Sequence, residues 1–127
     1  MHLDAIGIVV TDLPRAVAFY RLLGLDFPDP GAGEDHLEAT TASGLRVMLD
    51  HEAMIKGFVD DWVEPRGQRV GLAFRCATPA EVDARYQAVS DAGFGGGKAP
   101  WDAFWGQRYA VVHDPDGNAV DLFAELS

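Results

Sequence analysis

Two side chains in the last quarter of the chain, Tyr109 and Asp121, have the types and spacing to do hydrogen-bond or proton chemistry together. They lie on two stretches, Arg108–His113 and Asn118–Glu125, joined by Asp114-Pro115-Asp116-Gly117. Pro115 presets φ for the second position of a type I turn, and Gly117 can take the positive φ that follows. The stretches therefore read as a β-hairpin. Alternation puts Tyr109, Val111, Asp121 and Phe123 on one face, and Ala110, Val112, Val120 and Leu122 on the other. The second set is an aliphatic core face. The first mixes a carboxylate, a phenol and a ring, which suits a site better than a core. Just ahead of it stand Trp101, Phe104 and Trp105, the two indoles four residues apart beside a glycine. Rigid aromatic faces stack on planar ligands at low entropic cost, and an offset stack adds about 1 kcal/mol beyond area burial. These residues are read as ligand contacts, whereas the isolated Trp62 reads as ordinary packing.

Other chemistries find less support. Asp121 with Tyr109 can form a metal-free acid/base pair, but an orienting acceptor role for Asp121 is the preferred reading. No serine- or cysteine-type nucleophile–base motif is present. Gly95-Gly96-Gly97 lacks the strand-before-helix context of a phosphate loop and reads as a linker. His2, His36, His51 and His113 show no ligand pair at helical spacing and read as surface or loop residues. Glu52, Asp60, Asp61 and Glu64 read as a solvated acidic surface. Glu38 and Asp50 lie on strands, and a shift of one residue decides which face each takes.

The elements that must position these residues follow from the same patterns. Asp4–Val10 is a strand, with Ile6, Ile8 and Val10 on one face and Ala5, Gly7 and Val9 on the other. Asp12 caps a helix, Pro14 sits in its first turn, and Gly24 ends it. Leu25–Pro28 is expected to be a short strand, Asp29–Asp35 a loop, and His36–Ala42 with Leu45–His51 a hairpin across Ser43-Gly44. His51–Val59 is a helical excursion. Val70–Cys76 is a strand with Val70, Leu72, Phe74 and Cys76 on one face. Thr78-Pro79-Ala80-Glu81 is a capping box that opens a helix buried through Val82, Tyr86 and Val89 and stopped by Gly93. The order strand, helix, three strands is thus given twice. Ala5, Gly7, Gly71 and Ala73 are too small to fill a core, so two such half-sheets facing each other leave a groove for a ligand.

The 127 residues make one domain, residues 1–127, with modules of about 1–64 and 65–127. A net charge of −10 argues against nucleic-acid and anionic-membrane partners, and an acidic surface can steer a cationic ligand inward. Cys76, the only cysteine, excludes an internal disulfide and a thiolate metal cluster, and reads as a small buried residue. The start lacks a basic segment followed by a long apolar one, so a cytoplasmic location is expected.

The segment PWDAFWGQRYAVVHDPDGNAVDLFA resembles the closing hairpin of the vicinal oxygen chelate superfamily, which includes glyoxalases, extradiol dioxygenases and bleomycin-resistance proteins. Within it, the segment most resembles mitomycin- and bleomycin-binding resistance proteins, and the likeness extends over nearly the whole chain. It implies an α+β fold of paired βαβββ modules forming a cupped mixed sheet with the helices outside. In metal-dependent relatives four ligands come from equivalent strand positions. Aligned on the Asp12-Leu13…Ala16…Phe19-Tyr20 helix start and on the DPDGN turn, those positions are Ala5, Leu49, Gly71 and Asp121. Three carry no coordinating atom, and catalytic sites use about three protein ligands. His2 substitutes only through a register slip that turns the aliphatic face outward.

The expectation is therefore no metal and no cofactor. The chain reads as a protein that sequesters a planar natural-product antibiotic, cationic ones included, on Leu49, Trp101, Phe104, Trp105, Tyr109, Val111, Asp121 and Phe123. The rivals are a metal-dependent glyoxalase or dioxygenase, a metal-free lyase using Asp121, and a protein-interaction module. The resemblance also implies a two-fold homodimer. Trp101, Trp105 and Tyr109 of one chain would then face Leu49 of the other, with Val63-Glu64-Pro65-Arg66-Gly67 as the hinge.

Overall fold

The computed structural model describes all 127 residues, Met1–Ser127. They form two compact units, Met1–Arg66 and Gly67–Ser127. No helix is long and apolar enough to cross a membrane.

The first unit runs β1 (Ala5–Val10), α1 (Leu13–Leu22), β2 (His36–Thr40), β3 (Arg46–His51) and α2 (Glu52–Lys56). Its sheet has the order β1-β3-β2, with β1 parallel to β3 and β2 antiparallel to it. Asp12 has extended backbone and its Oδ1 accepts the Arg15 N–H at 3.1 Å, so α1 starts where the sequence places it. Gly24, at φ 93°, ends it in the left-handed region. Leu13, Ala16, Val17, Phe19 and Tyr20 are buried, and α1 packs on β3. Leu37, Ala39, Val47 and Leu49 supply the buried face of the sheet.

The expected strand at Leu25–Pro28 does not form. Leu25 and Phe27 are buried, as alternation suggests, but Arg21 takes the place of a neighbouring strand. Its Nε and Nη2 donate to the Phe27 carbonyl at 3.0 and 2.7 Å, and Nη2 also donates to Asp29 at 2.8 Å. The first unit therefore has only two strands after its helix, and the internal repeat is incomplete.

The second unit runs β4 (Leu72–Arg75), α3 (Pro79–Asp91), β5 (Gly96–Asp102), β6 (Gln107–His113) and β7 (Ala119–Glu125). The order is β4-β7-β6-β5, with β4 parallel to β7 and the other pairs antiparallel. Thr78 caps α3 by accepting the Glu81 N–H at 3.2 Å. Glu81 answers to the N–H of Ala77 at 2.6 Å, one residue before the cap, a shifted version of the expected box. β4 is shorter than expected: Val70 is 74 % exposed and Gly71 precedes the strand.

Gly95-Gly96-Gly97 is not a free linker, because Gly96 and Gly97 begin β5. A Cβ on Gly96 would stand 2.4 Å from the Tyr86 hydroxyl oxygen of α3, and one on Gly97 would stand 2.9 Å from a Val111 methyl on β6. Glycine is used here for close approach. The turn after β6 is held by Asp114, which is 4 % exposed. Its Oδ1 accepts the N–H groups of Asp116 and Asn118, and its Oδ2 accepts Asn118 Nδ2, each at 2.9 Å.

Candidate ligand-binding site

The hairpin faces fall as alternation requires. Tyr109 pairs with Phe123 and Val111 with Asp121, while Ala110 pairs with Leu122 and Val112 with Val120. The aliphatic four are at most 1 % exposed, and α3 packs on β5, β6 and β7. The other four are half-buried. One sheet thus has a closed side and a chemically mixed side.

Register extends the mixed side across the whole sheet. Arg75 pairs with Phe123, Phe123 with Tyr109, and Tyr109 with Trp101, so one row crosses all four strands. Tyr109 and Phe123 stack with centroids 6.2 Å apart at 25°. Trp101 meets Tyr109 edge-on at 5.6 Å, and Trp105 meets Trp101 and Tyr109 edge-on at 6.0 and 5.2 Å. Phe104 touches only Trp105 among the rings, at 5.0 Å, and stands 96 % exposed at the turn between β5 and β6. Trp105 Nε1 donates to Gln107 at 2.8 Å, and Gln107 donates on to Glu125 at 3.0 Å, which fixes the indole. Trp62 lies outside this cluster and donates to Glu64.

The Tyr109 hydroxyl donates to Asp121 Oδ2 at 2.7 Å. Burial, then the Asp121 hydrogen bond and charge, push the phenol up to about 12, so it stays protonated and acts as a donor at neutral pH. Asp121 is left with one carboxylate oxygen for a further donor.

Leu49 belongs elsewhere. It is 0 % exposed, on the core face with Leu37, its partner on β2. The residues on the opposite face of β3 are Arg46, Met48 and Asp50, one position away from the expected alignment. Counting outward from the Ser43-Gly44 turn would have found this, because it pairs His36 with Asp50 and Glu38 with Met48.

That opposite face carries an ion network that single-residue reading missed. His36 Nδ1 meets Asp50 at 2.5 Å and Nε2 meets Glu38 at 2.7 Å, while Arg46 bridges Glu38 at 2.7 Å and Asp4 at 2.8 Å. His36 is thus not a bare surface histidine. Its hydrogen bond to Asp50, then that to Glu38, hold its pKa above the usual imidazole value. Gly7 lies beside this network, where a Cβ would make only ordinary contacts, 3.4 Å to Met48 and 3.6 Å to Asp50. No atom of the chain demands glycine there or at Gly71.

The donor set does not fit the metal that the family position pattern implies. Ala5, Leu49 and Gly71 offer no ligand atom, and Asp121 receives the Tyr109 hydroxyl. The ring nitrogens of His36 are both engaged by carboxylates, and no three His, Cys, Asp or Glu side chains converge to hold an ion. Cys76 is buried, which raises its thiol pKa and suits a packing role.

Comparison with known proteins agrees with the topology. Over residues 2–122 the chain matches the family model for the Glyoxalase/Bleomycin resistance protein/Dioxygenase superfamily. A glyoxalase/bleomycin resistance protein/dioxygenase family enzyme from Burkholderia phytofirmans PsJN superposes with a TM-score of 0.83 at 22% identity, covering 99% of this chain and 100% of that one. A glyoxalase-related enzyme from Fulvimarina pelagi gives 0.84 at 18% identity, covering 98% and 88%. Lactoylglutathione lyase from Agrobacterium tumefaciens gives a TM-score of 0.68 at 20% identity, covering 97% and 92%. A search of curated proteins gives no match. At these identities the structures speak to fold alone. The family match spans almost the whole sequence, and the chain belongs to the glyoxalase/bleomycin resistance protein/dioxygenase superfamily.

Proposed function

We propose that this chain binds a planar small molecule without a metal and sequesters it, as a resistance protein does with a natural-product antibiotic. The observation that carries the reading is the row Phe123–Tyr109–Trp101, flanked by Trp105, on the side of the sheet that α3 does not cover. A planar ligand stacked there gains area burial plus about 1 kcal/mol per well-placed ring. Asp121 offers an acceptor that orients it, its other carboxylate oxygen being taken by the Tyr109 hydroxyl. Val111, beside Asp121 across the strand pair, gives the floor of the face. Leu49 has no part in it, because its side chain lies in the core of the first unit.

Tryptophan emission titrated with mitomycin, bleomycin and polycyclic antibiotics tests the reading. Quenching is expected, and it should shrink in Trp101→Ala and Trp105→Ala. Silence across the panel overturns it. The alternative, a metal-free lyase using Asp121, is separated by recovering the ligand after long incubation: sequestration returns it unchanged. Each sheet taken alone has two open edges, β1 and β2 in the first and β4 and β5 in the second, and edges of this kind are commonly covered by pairing. We therefore propose a two-fold homodimer, for which light scattering at micromolar concentration should give twice 13.7 kDa.

A further inference from the structure

The acidic net charge points to a cationic ligand, but the charges next to the aromatic row point the other way. Two register shifts in β5, one on each side of Lys98, place Lys98 opposite Val111. Bulges of this kind re-aim side chains. The Lys98 ammonium ends 4.5 Å from the centroid of the Trp101 ring, at the β5 end of the row. At the β4 end the Arg75 guanidinium lies 4.8 Å from the Phe123 centroid.

The two cations are not equivalent. Arg75 is paired with Glu125 at 3.4 Å. Lys98 pairs with no carboxylate, and the nearby acids are engaged elsewhere: Asp121 by Tyr109, and Asp102 by Arg108. In a chain with twice as many acidic as basic side chains, 20 against 10, an unpaired ammonium beside a ring cluster is a specific local charge.

Register gives the spacing. Ala73, Asp121, Val111 and Lys98 form the next row across the sheet, so Asp121 and Lys98 sit two strands apart. At about 4.8 Å between strands their backbones are roughly 10 Å apart, the length of a two- or three-ring system. Remote carboxylates oppose an anion only weakly, because screening at physiological ionic strength acts over about 8 Å.

We infer that the ligand of this face is two-ended: a planar ring system with a hydrogen-bond donor for Asp121 and an anionic substituent, such as a carboxylate or sulfonate, for Lys98. This inference rests on the binding function proposed above and narrows its ligand class. Stacking on the row supplies the common affinity. The donor sets direction, and the anion sets selectivity.

Calorimetric titration with a hydroxynaphthoate, its primary amide, and the naphthoate lacking the hydroxyl separates these contributions. The hydroxynaphthoate should bind tightest, with the amide weaker by about 2- to 5-fold, the range of an exposed ion pair. That preference should shrink with added salt, vanish in Lys98→Met and reverse in Lys98→Glu. The amide serves as the check that each Lys98 variant is folded, and the naphthoate lacking the hydroxyl does so for Asp121→Ala. Removing the hydroxyl should weaken binding to the native chain but not to Asp121→Ala. Equal affinity for acid and amide, or a preference that survives Lys98→Met, overturns the two-ended ligand while leaving the binding function standing. If neither acid nor amide binds, the two-ended ligand falls as well, and the antibiotic panel alone decides the binding function.

Discussion

Leu122 and Phe123 are neighbours in β7, and they should fail in different ways. Leu122 is 1 % exposed on the closed side, between Phe74 of β4 and Ala110 of β6. Leu122→Ala removes about three buried carbons at roughly 0.8 kcal/mol each, and the cavity left behind adds to that, for a loss of about 3 kcal/mol. At roughly 4 °C per kcal/mol for a domain of this size, the melting temperature should fall by about 12 °C. Phe123→Ala loses a half-exposed ring whose contacts are the Tyr109 stack and the Arg75 cation–π pair. Its stability cost should stay near 1 kcal/mol, while planar-ligand affinity should drop about tenfold, a loss of about 1.4 kcal/mol. Urea denaturation followed by circular dichroism gives the first quantity for each variant, and fluorescence titration gives the second. If Phe123→Ala costs as much stability as Leu122→Ala and leaves affinity untouched, the mixed side is a core and the division of labour between faces is wrong.

Three further outcomes follow from single side chains. Asp114→Ala should destabilise by about 1–3 kcal/mol, because two turn N–H groups and the Asn118 amide lose their acceptor; a shift in urea midpoint measures it. Tyr109→Phe should cost little stability but free Asp121, so ligands with a donor should bind at least as well as to the native chain and donor-free ones should not gain. For His36, whose pKa is raised in the folded state, the stabilisation is fully present below the ordinary value of 6.5 and is lost as pH rises through the elevated one. The urea midpoint should therefore fall as pH rises above 6.5, and His36→Gln should flatten that limb. A native profile already flat there would remove the case for the His36–Asp50–Glu38 network.

The sequence by itself determined whatever depends on local period and local turn chemistry. Asp12 and Thr78 mark helix starts because an N-cap needs only its own next three residues. The DPDGN turn and its two faces were legible because a short turn fixes hairpin register and alternation does the rest. The aromatic row was visible in part, since Tyr109, Val111, Asp121 and Phe123 share that hairpin. Tertiary structure decided what depends on a partner distant in sequence. Leu25–Pro28 has strand-like alternation but no strand, because the Arg21 guanidinium satisfies the Phe27 carbonyl instead. Gly96 and Gly97 resemble a linker until Tyr86 and Val111 are seen where their Cβ atoms would be. Leu49 was assigned to the wrong face because alignment to a distant turn carries a one-residue error, and in a strand one residue exchanges core for site. Nothing in the sequence singles out Lys98. Only the irregular pairing of β5 brings it to Trp101, because a bulge changes where a side chain points without leaving a pattern in the sequence.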